Sequence, residues 1–201
     1  MRRQFEIDVF DDVYPPSEDT YLLLDAVDIM PNDIVLDIGC GAGLATVAAA
    51  SRAHLVLAVD ISMSAVRNTR KNLQENGLAH AAEAIQSDLI SAISAKNKFS
   101  IILFNPPYLP ADENHTNEDH MHIGGQEGSE LTRRLIVEAI NYLVEGGKLF
   151  LVISTLADSD AIEKTLEQNG LETKCIAEKA LFFERIKVLR AIFRGHKETV
   201  L

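Results

Sequence analysis

Two kinds of hydrophobic spacing alternate along this chain. Residues 34–38, 55–59, 101–104 and 149–153 form short, nearly continuous apolar runs. Runs of that length predict strands buried on both faces, as in a parallel sheet covered by helices. Between them, apolar residues recur at helical spacing. Val66, Thr69 and Leu73 follow Ser62, a good capping residue, and Leu131, Leu135, Ala139 and Leu143 follow Ser129. Residues 44–51 continue as a helix, and Ile162, Thr165 and Leu166 run toward Gly170, which suits a helix stop. A further amphipathic helix is predicted from Ser17 to Met30, with Pro31 ending it. The alternation predicts an α/β fold, a mostly parallel sheet with helices on both faces. Residues 171–177 and 186–193 are β-rich with no helix between them, so they predict an antiparallel edge.

Composition fits one such domain spanning residues 1–201, since a chain of this length buries roughly 70–75% of its unfolded surface. Apolar residues make up 47% and charged residues 24%, the balance of a globular protein. The net charge of −11 repels phosphate backbones and argues against direct nucleic-acid binding as a primary role. Basic residues cluster at Arg67, Arg70 and Lys71 and at Arg185, Lys187, Arg190 and Arg194, and solvated faces account for them as well as a local basic patch does. Cys40 and Cys175 are too few for a disulfide framework, which fits a reducing, cytoplasmic location. No targeting segment is visible, and no apolar run reaches the roughly 20 residues that cross a bilayer, so no membrane role is expected.

The candidate chemistry sits where predicted strands end. Residues 35–43, Val-Leu-Asp-Ile-Gly-Cys-Gly-Ala-Gly, run from a strand through a glycine-rich turn into a helix. Glycine permits tight turning and close approach of a ligand to the backbone. A dinucleotide fingerprint would place its third glycine at position 44, where Leu44 stands. An acidic residue, Asp37, followed by Gly39, Gly41 and Gly43 is instead the form seen in methyltransferases that bind S-adenosyl-L-methionine. Asp60 lies 21 residues after Gly39, near the roughly 20-residue offset at which a carboxylate reaches ribose hydroxyls. Asp88, beside Leu89, is placed either to accept from the exocyclic amine of adenine or to cap the following segment.

Asn105-Pro106-Pro107-Tyr108 follows the predicted strand 101–104. Two prolines stiffen the segment and remove backbone donors, so the Asn105 side-chain oxygen and the Pro106 carbonyl can converge as acceptors on an amine or amide nitrogen. Tyr108 offers a flat face to a planar group. Residues 109–128 are the one long irregular stretch; they carry His115, His120 and His122 among several carboxylates, but no spacing is diagnostic of a metal site, and none is assigned. Gly124-Gly125-Gln126 reads as a glycine-rich turn before a helix.

With these segments in this order, the chain resembles the HemK family of protein-glutamine methyltransferases over nearly its whole length. Residues 13–20, Val-Tyr-Pro-Pro-Ser-Glu-Asp-Thr, resemble the leading motif of the short archaeal and eukaryotic branch, which lacks an extra amino-terminal helical domain. Pro15 departs from the acidic residue often found at its place. The resemblance implies a Rossmann-like class I methyltransferase fold, with a mostly parallel seven-stranded sheet and an antiparallel carboxyl-terminal edge. It implies that Thr20, Asp37, Gly39, Asp60, Asp88, Leu89 and Asn105 line the cofactor site, with Gly41 in the same turn. Asn105, Pro106, Pro107 and Tyr108 would then hold a glutamine in the Gly-Gly-Gln loop of a translation termination (release) factor. It also implies a small zinc-binding activator protein on the sheet edge from Ala81 to Gln86. Two other readings stay open: an adenine amino methyltransferase acting on nucleic acid, and a non-catalytic module that binds an adenosine ligand.

Overall fold

A computed structural model describes residues 5–107 and 129–195. In chain order its elements are α1 (Glu18–Ala26), β1 (Ile34–Ile38), α2 (Leu44–Ala50), β2 (Leu55–Asp60), α3 (Met63–Glu75), β3 (Ala82–Gln86), β4 (Phe99–Phe104), α4 (Glu130–Ala139), β5 (Leu143–Ser154), α5 (Ser159–Gln168), β6 (Leu171–Ala180) and β7 (Arg185–Phe193). One seven-stranded sheet has the order β3-β2-β1-β4-β5-β7-β6. Strands β1 to β5 pair in parallel, and β7 runs antiparallel to both β5 and β6.

The period-two alternation of the strands divides the core. Leu36, Ile38, Ile102, Phe104, Leu149 and Leu151 face one side, where they meet Leu135 and Ile136 of α4 and Ile162 and Leu166 of α5. Val35, Ile101, Leu103, Phe150 and Val152 face the other, against Leu23 of α1, Val47 of α2 and Leu73 of α3. Both faces are therefore covered, as the apolar runs require. Strand order reverses between β1 and β4, and open α/β sheets bind ligands in the crevice at such a reversal, beyond the carboxyl ends of the strands.

Two predicted elements end differently. The first helix stops at Ala26, and Val27 is already extended at φ −89° and ψ 128°. Pro31 disfavours helix in the residue before it, and Val27 and Ile29 are buried as part of an extended lead into β1. Leu143 belongs to β5 rather than to the preceding helix, which ends at Ala139. It pairs with Phe99 and packs in the same core cluster as Leu135 and Ala139, so burial alone could not separate the two assignments. Of the predicted caps, Ser62 accepts from the Ala65 N–H at 3.4 Å, while Ser129 precedes α4 without capping it. The basic clusters are largely absorbed by ion pairs, Arg70 with Glu83, Lys71 with Asp8 and Glu75, Arg185 with Glu178 and Arg194 with Glu172.

The segment ahead of α1 has a structure that its sequence does not announce. Asn68 and Asn72 on α3 and Asn76 at its carboxyl-terminal cap lie one turn apart, and their side-chain oxygens accept from the backbone N–H groups of Phe10, Asp8 and Glu6 at 2.9, 3.0 and 3.2 Å. Their amide groups donate to the Asp8 carbonyl from Asn68 and Asn72 and to the Glu6 carbonyl from Asn76, at 2.7–2.8 Å. Three asparagines thus pair with alternate residues of an extended segment as a neighbouring strand would. Asn72 also donates to the Ala42 carbonyl at 2.7 Å, which ties this strap to the glycine-rich turn.

Candidate active site

The turn after β1 is fixed by its own backbone. Gly39 and Cys40 donate to the Val59 carbonyl at 2.8 and 3.1 Å, and Thr69 of α3 donates its hydroxyl to the Gly41 carbonyl at 3.0 Å. At Gly43, with φ +86°, a Cβ would stand 2.8 Å from the Thr69 hydroxyl, so only glycine fits. Asp60, at the end of β2, accepts from the Gly41 N–H at 3.0 Å and the Ser62 N–H at 2.9 Å. Burial raises its pKa, against those backbone hydrogen bonds. Asp37 is 3% exposed and accepts from the Thr46 hydroxyl at 2.5 Å. Desolvation pushes its pKa up to about 7, aided by Asp60 and opposed by Thr46.

The end of β4 meets this turn. Ile38 and Phe104 are register partners in β1 and β4, so the next residues, Gly39 and Asn105, leave the sheet side by side. A Cβ on Gly39 would lie 3.9 Å from Phe104 and 4.0 Å from the Asn105 carbonyl, filling the gap between the two strand ends. The Asn105 Oδ1 atom is buried, and among the described residues nothing donates a hydrogen bond to it. Pro106 is buried and Pro107 half-buried; Tyr108, the fourth residue of the motif, lies outside the described residues, as do the histidine-bearing stretch 109–128 and Gly124-Gly125-Gln126.

One cavity of about 660 Å3 gathers Thr20, Asp37, Gly39, Gly41, Asp60, Asp88, Leu89, Asn105, Pro106 and Pro107. Every predicted site residue that is described lies on it. Asp88 pairs with Arg134, and the capping function falls to Ser87, whose hydroxyl accepts from the Ala92 N–H at 3.1 Å. Leu89 holds φ +47°, a conformation that costs a side-chain-bearing residue about 1–3 kcal/mol and recurs at ligand-binding sites. The sequence reading missed Tyr14, Asp19, Leu131 and Glu184, all on the same cavity. Asp19 is 4% exposed; it accepts from the Thr20 N–H at 2.6 Å, the Thr20 hydroxyl at 3.2 Å and the Tyr14 hydroxyl at 3.3 Å. Burial and Asp19 push the Tyr14 pKa up to about 12. An acidic residue at the start of a helix reads as helix-dipole stabilisation, and nothing in its spacing marked Asp19 as an anchor.

The described lining carries seven carboxylates, Asp12, Glu18, Asp19, Asp37, Asp60, Asp88 and Glu184, and no Lys, Arg or His. The arrangement suits a cationic ligand, with an unused acceptor beside it. Residues 17–183 match the family model described as a methyltransferase small domain. A putative protein N5-glutamine methyltransferase of Methanocaldococcus jannaschii is 34% identical over 90% of this chain and 91% of its own length. The chain is a methyltransferase of the HemK-like family. Mouse methyltransferase HEMK2 is 30% identical to this HemK-like chain over 90% of each. The Mtq2-Trm112 complex of E. cuniculi, described as responsible for methylation of the eRF1 termination factor, contains a chain that superposes with a TM-score of 0.72 at 25% identity, covering 90% of this chain and 99% of that one. Thermus thermophilus RsmC shares the fold, with a TM-score of 0.68 at 24% identity. Among the described residues, no helix is long and apolar enough to cross a membrane.

Proposed function

We propose that this methyltransferase uses S-adenosyl-L-methionine to methylate the side-chain amide nitrogen of the glutamine in the Gly-Gly-Gln loop of a translation termination factor. The single observation that carries this reading is the buried, unpartnered Asn105 Oδ1 beside the Gly39 turn. An unsatisfied buried acceptor costs about 1–3 kcal/mol, and a primary amide, with its two N–H donors, relieves that cost. The cofactor fits the other half of the cavity, where Asp37, Asp60 and the glycine turn line a wall that holds no Lys, Arg or His among the described residues. When bound, it supplies a methyl group as an electrophilic carbon on a cationic sulfur.

The chain's own part is positional. Asn105 Oδ1 would accept from one N–H of the amide and the Pro106 carbonyl from the other, which presents one face of the nitrogen to the methyl group; as the N–C bond forms the thioether leaves, and the nitrogen then gives up one N–H proton to solvent. Asp60 would hold the ribose hydroxyls and Thr20, Asp37, Asp88 and Leu89 the remainder of the cofactor. Orientation of this kind reaches effective molarities of about 10⁵–10⁸ M, worth roughly 7–11 kcal/mol of barrier. The relatives named as glutamine or eRF1 methyltransferases support the substrate. The complex of Mtq2 with Trm112 supports a small activator subunit here, and β3, the outer strand of the sheet with Ala82 to Gln86, is the edge it would extend. Nucleic-acid adenine is the weaker alternative, because the cavity lining holds no basic residue among those described.

The test is mass spectrometry of a purified termination factor after incubation with this enzyme, its activator and the cofactor. One added methyl group on the Gly-Gly-Gln glutamine is expected. Methyl transfer to DNA or RNA alone would overturn the protein reading.

A further inference from the structure

The connection between β6 and β7 carries an anomaly. The Leu181 N–H donates to the Glu184 carbonyl at 2.8 Å, so these two residues close the ends of the β6–β7 hairpin and leave Phe182 and Phe183 at the bend between them. These rings are 100% and 93% exposed, whereas Ile61, the next most exposed large apolar residue described, is at 69%. Central turn positions favour Gly, Pro, Asn and Asp for conformational reasons. Two phenylalanines there gain nothing from the fold and leave a large apolar area in water.

The turn is held firmly and stands on the cavity. Leu181 and Glu184, which bracket the two rings, are both cavity-lining residues. The Glu184 carboxylate accepts from the Ser154 hydroxyl, the Arg185 N–H donates to the Thr155 hydroxyl at 2.9 Å, and Lys179 of β6 pairs with Glu18 of α1. The aromatic pair is thus fixed at the rim of the space that Asn105 opens into.

We propose that Phe182 and Phe183 form the docking surface for the polypeptide that presents the methyl-accepting glutamine, taking apolar side chains of a segment that also carries basic residues. This rests on the protein-glutamine reading above and specifies how that site selects its substrate. A small amide could reach Asn105 without touching rings that point into solvent, so the pair serves a larger partner. The acidic cavity lining and the net charge of −11 select basic flanking residues. A second copy of this chain would bring acid against acid. An activator added to β3 would be at the far end of the sheet, since β3 and β6 are its opposite edges.

The variant F182S/F183S removes the rings without disturbing the core, and F182L/F183L retains apolar bulk. Steady-state kinetics with an intact termination factor and with a short Gly-Gly-Gln peptide, both with the activator-loaded enzyme, separate docking from chemistry. For the serine variant, KM for the intact factor is expected to rise about tenfold or more with little change in kcat. Its cofactor Kd and its kcat/KM for the peptide should stay near parental values, and the leucine variant should recover much of the loss. An unchanged KM for the intact factor in the folded serine variant overturns the proposal. So does a parental dimer that the serine variant converts to monomer, since a second copy would then be covering the rings. If the parent enzyme modifies no termination factor at all, the protein-glutamine reading fails first and takes this inference with it.

Discussion

The two strand ends that frame the cavity handle their polar atoms in opposite ways. At the ends of β1 and β2, Asp37 is engaged by Thr46, Asp60 by the Gly41 and Ser62 N–H groups, and the Gly39 and Cys40 N–H groups by Val59. At the end of β4, Asn105 keeps a buried oxygen with no donor among the described residues. The first wall is built by the protein alone, so a ligand there meets a surface whose geometry is already set. The second is incomplete until a donor arrives, so a ligand there relieves an existing cost. A methyltransferase needs this asymmetry, because the cofactor must be held in one pose while the acceptor is discriminated by the hydrogen bonds it brings.

The comparison breaks most sharply at Asn105. Replacing it with alanine should lower kcat by roughly 10²–10³-fold, the scale for losing one preorganised transition-state contact. Among the described residues the Asn105 oxygen has no partner to lose, so cofactor Kd from calorimetry should stay within a few-fold of the parent. A kcat near parental would show that the open acceptor is not used. On the finished wall the same test should give the reverse pattern. Gly43→Ala places a Cβ 2.8 Å from the Thr69 hydroxyl at φ +86°, and should destabilise the fold by about 1–3 kcal/mol and weaken cofactor binding together. Thermal unfolding with and without cofactor reads both.

Asp37 sharpens the contrast through pH. Its carboxyl titrates near 7 in the folded chain because of burial, so between the ordinary carboxylate range and about 7 the folded state holds a proton that the unfolded state has released. Stability should therefore fall as pH rises through that window and level off above it. Affinity for a cationic cofactor should move the other way, strengthening as Asp37 ionises. Asp37→Asn should flatten both profiles, remain more stable than the parent at pH above 7, and bind cofactor more weakly. If the parent shows no loss of apo stability across the window, the carboxyl is not held protonated by burial.

The smallest effect is expected on the strap. Asn72→Asp keeps an acceptor for the Asp8 N–H but loses the donors to Asp8 and Ala42, whereas Asn76→Ala loosens only the outer rung. Hydrogen exchange should show faster exchange at residues 5–10 in both. Only Asn72→Asp should also weaken cofactor binding, by a few-fold, because only Asn72 reaches the glycine turn. Equal effects on cofactor would mean that the strap acts as a whole and not through that rung.

The parts of this molecule that were legible in its sequence are those governed by local rules. The β-strands of the core, the antiparallel edge and the glycine turn each follow from apolar spacing or from the conformational freedom of glycine, and Gly39 and Asn105 are brought together because parallel strands in register end together. What stayed hidden depends on long-range pairing. Asn68, Asn72 and Asn76 look like polar positions of an amphipathic helix, and their partners lie 58 to 70 residues away. Asp19 looks like an exposed first-turn acid until Tyr14 and Thr20 are folded onto it. Glu184 reaches the cavity only because the antiparallel pairing of β7 with β5 and β6 puts their connection at the same edge of the sheet as the ends of β1 and β4, which no local spacing of its own residues specifies. Leu143 pairs in β5 although helical spacing predicts it in α4, because a buried leucine satisfies helix and strand periodicity equally.

The most direct measurement is a crystal structure of the enzyme with S-adenosylhomocysteine and a Gly-Gly-Gln peptide. The sulfur should lie over the Gly39 turn, with the glutamine amide nitrogen donating to Asn105 Oδ1 on the same side of the cavity. A cofactor product seated away from Gly39, or a glutamine held without contact to Asn105, would contradict the account.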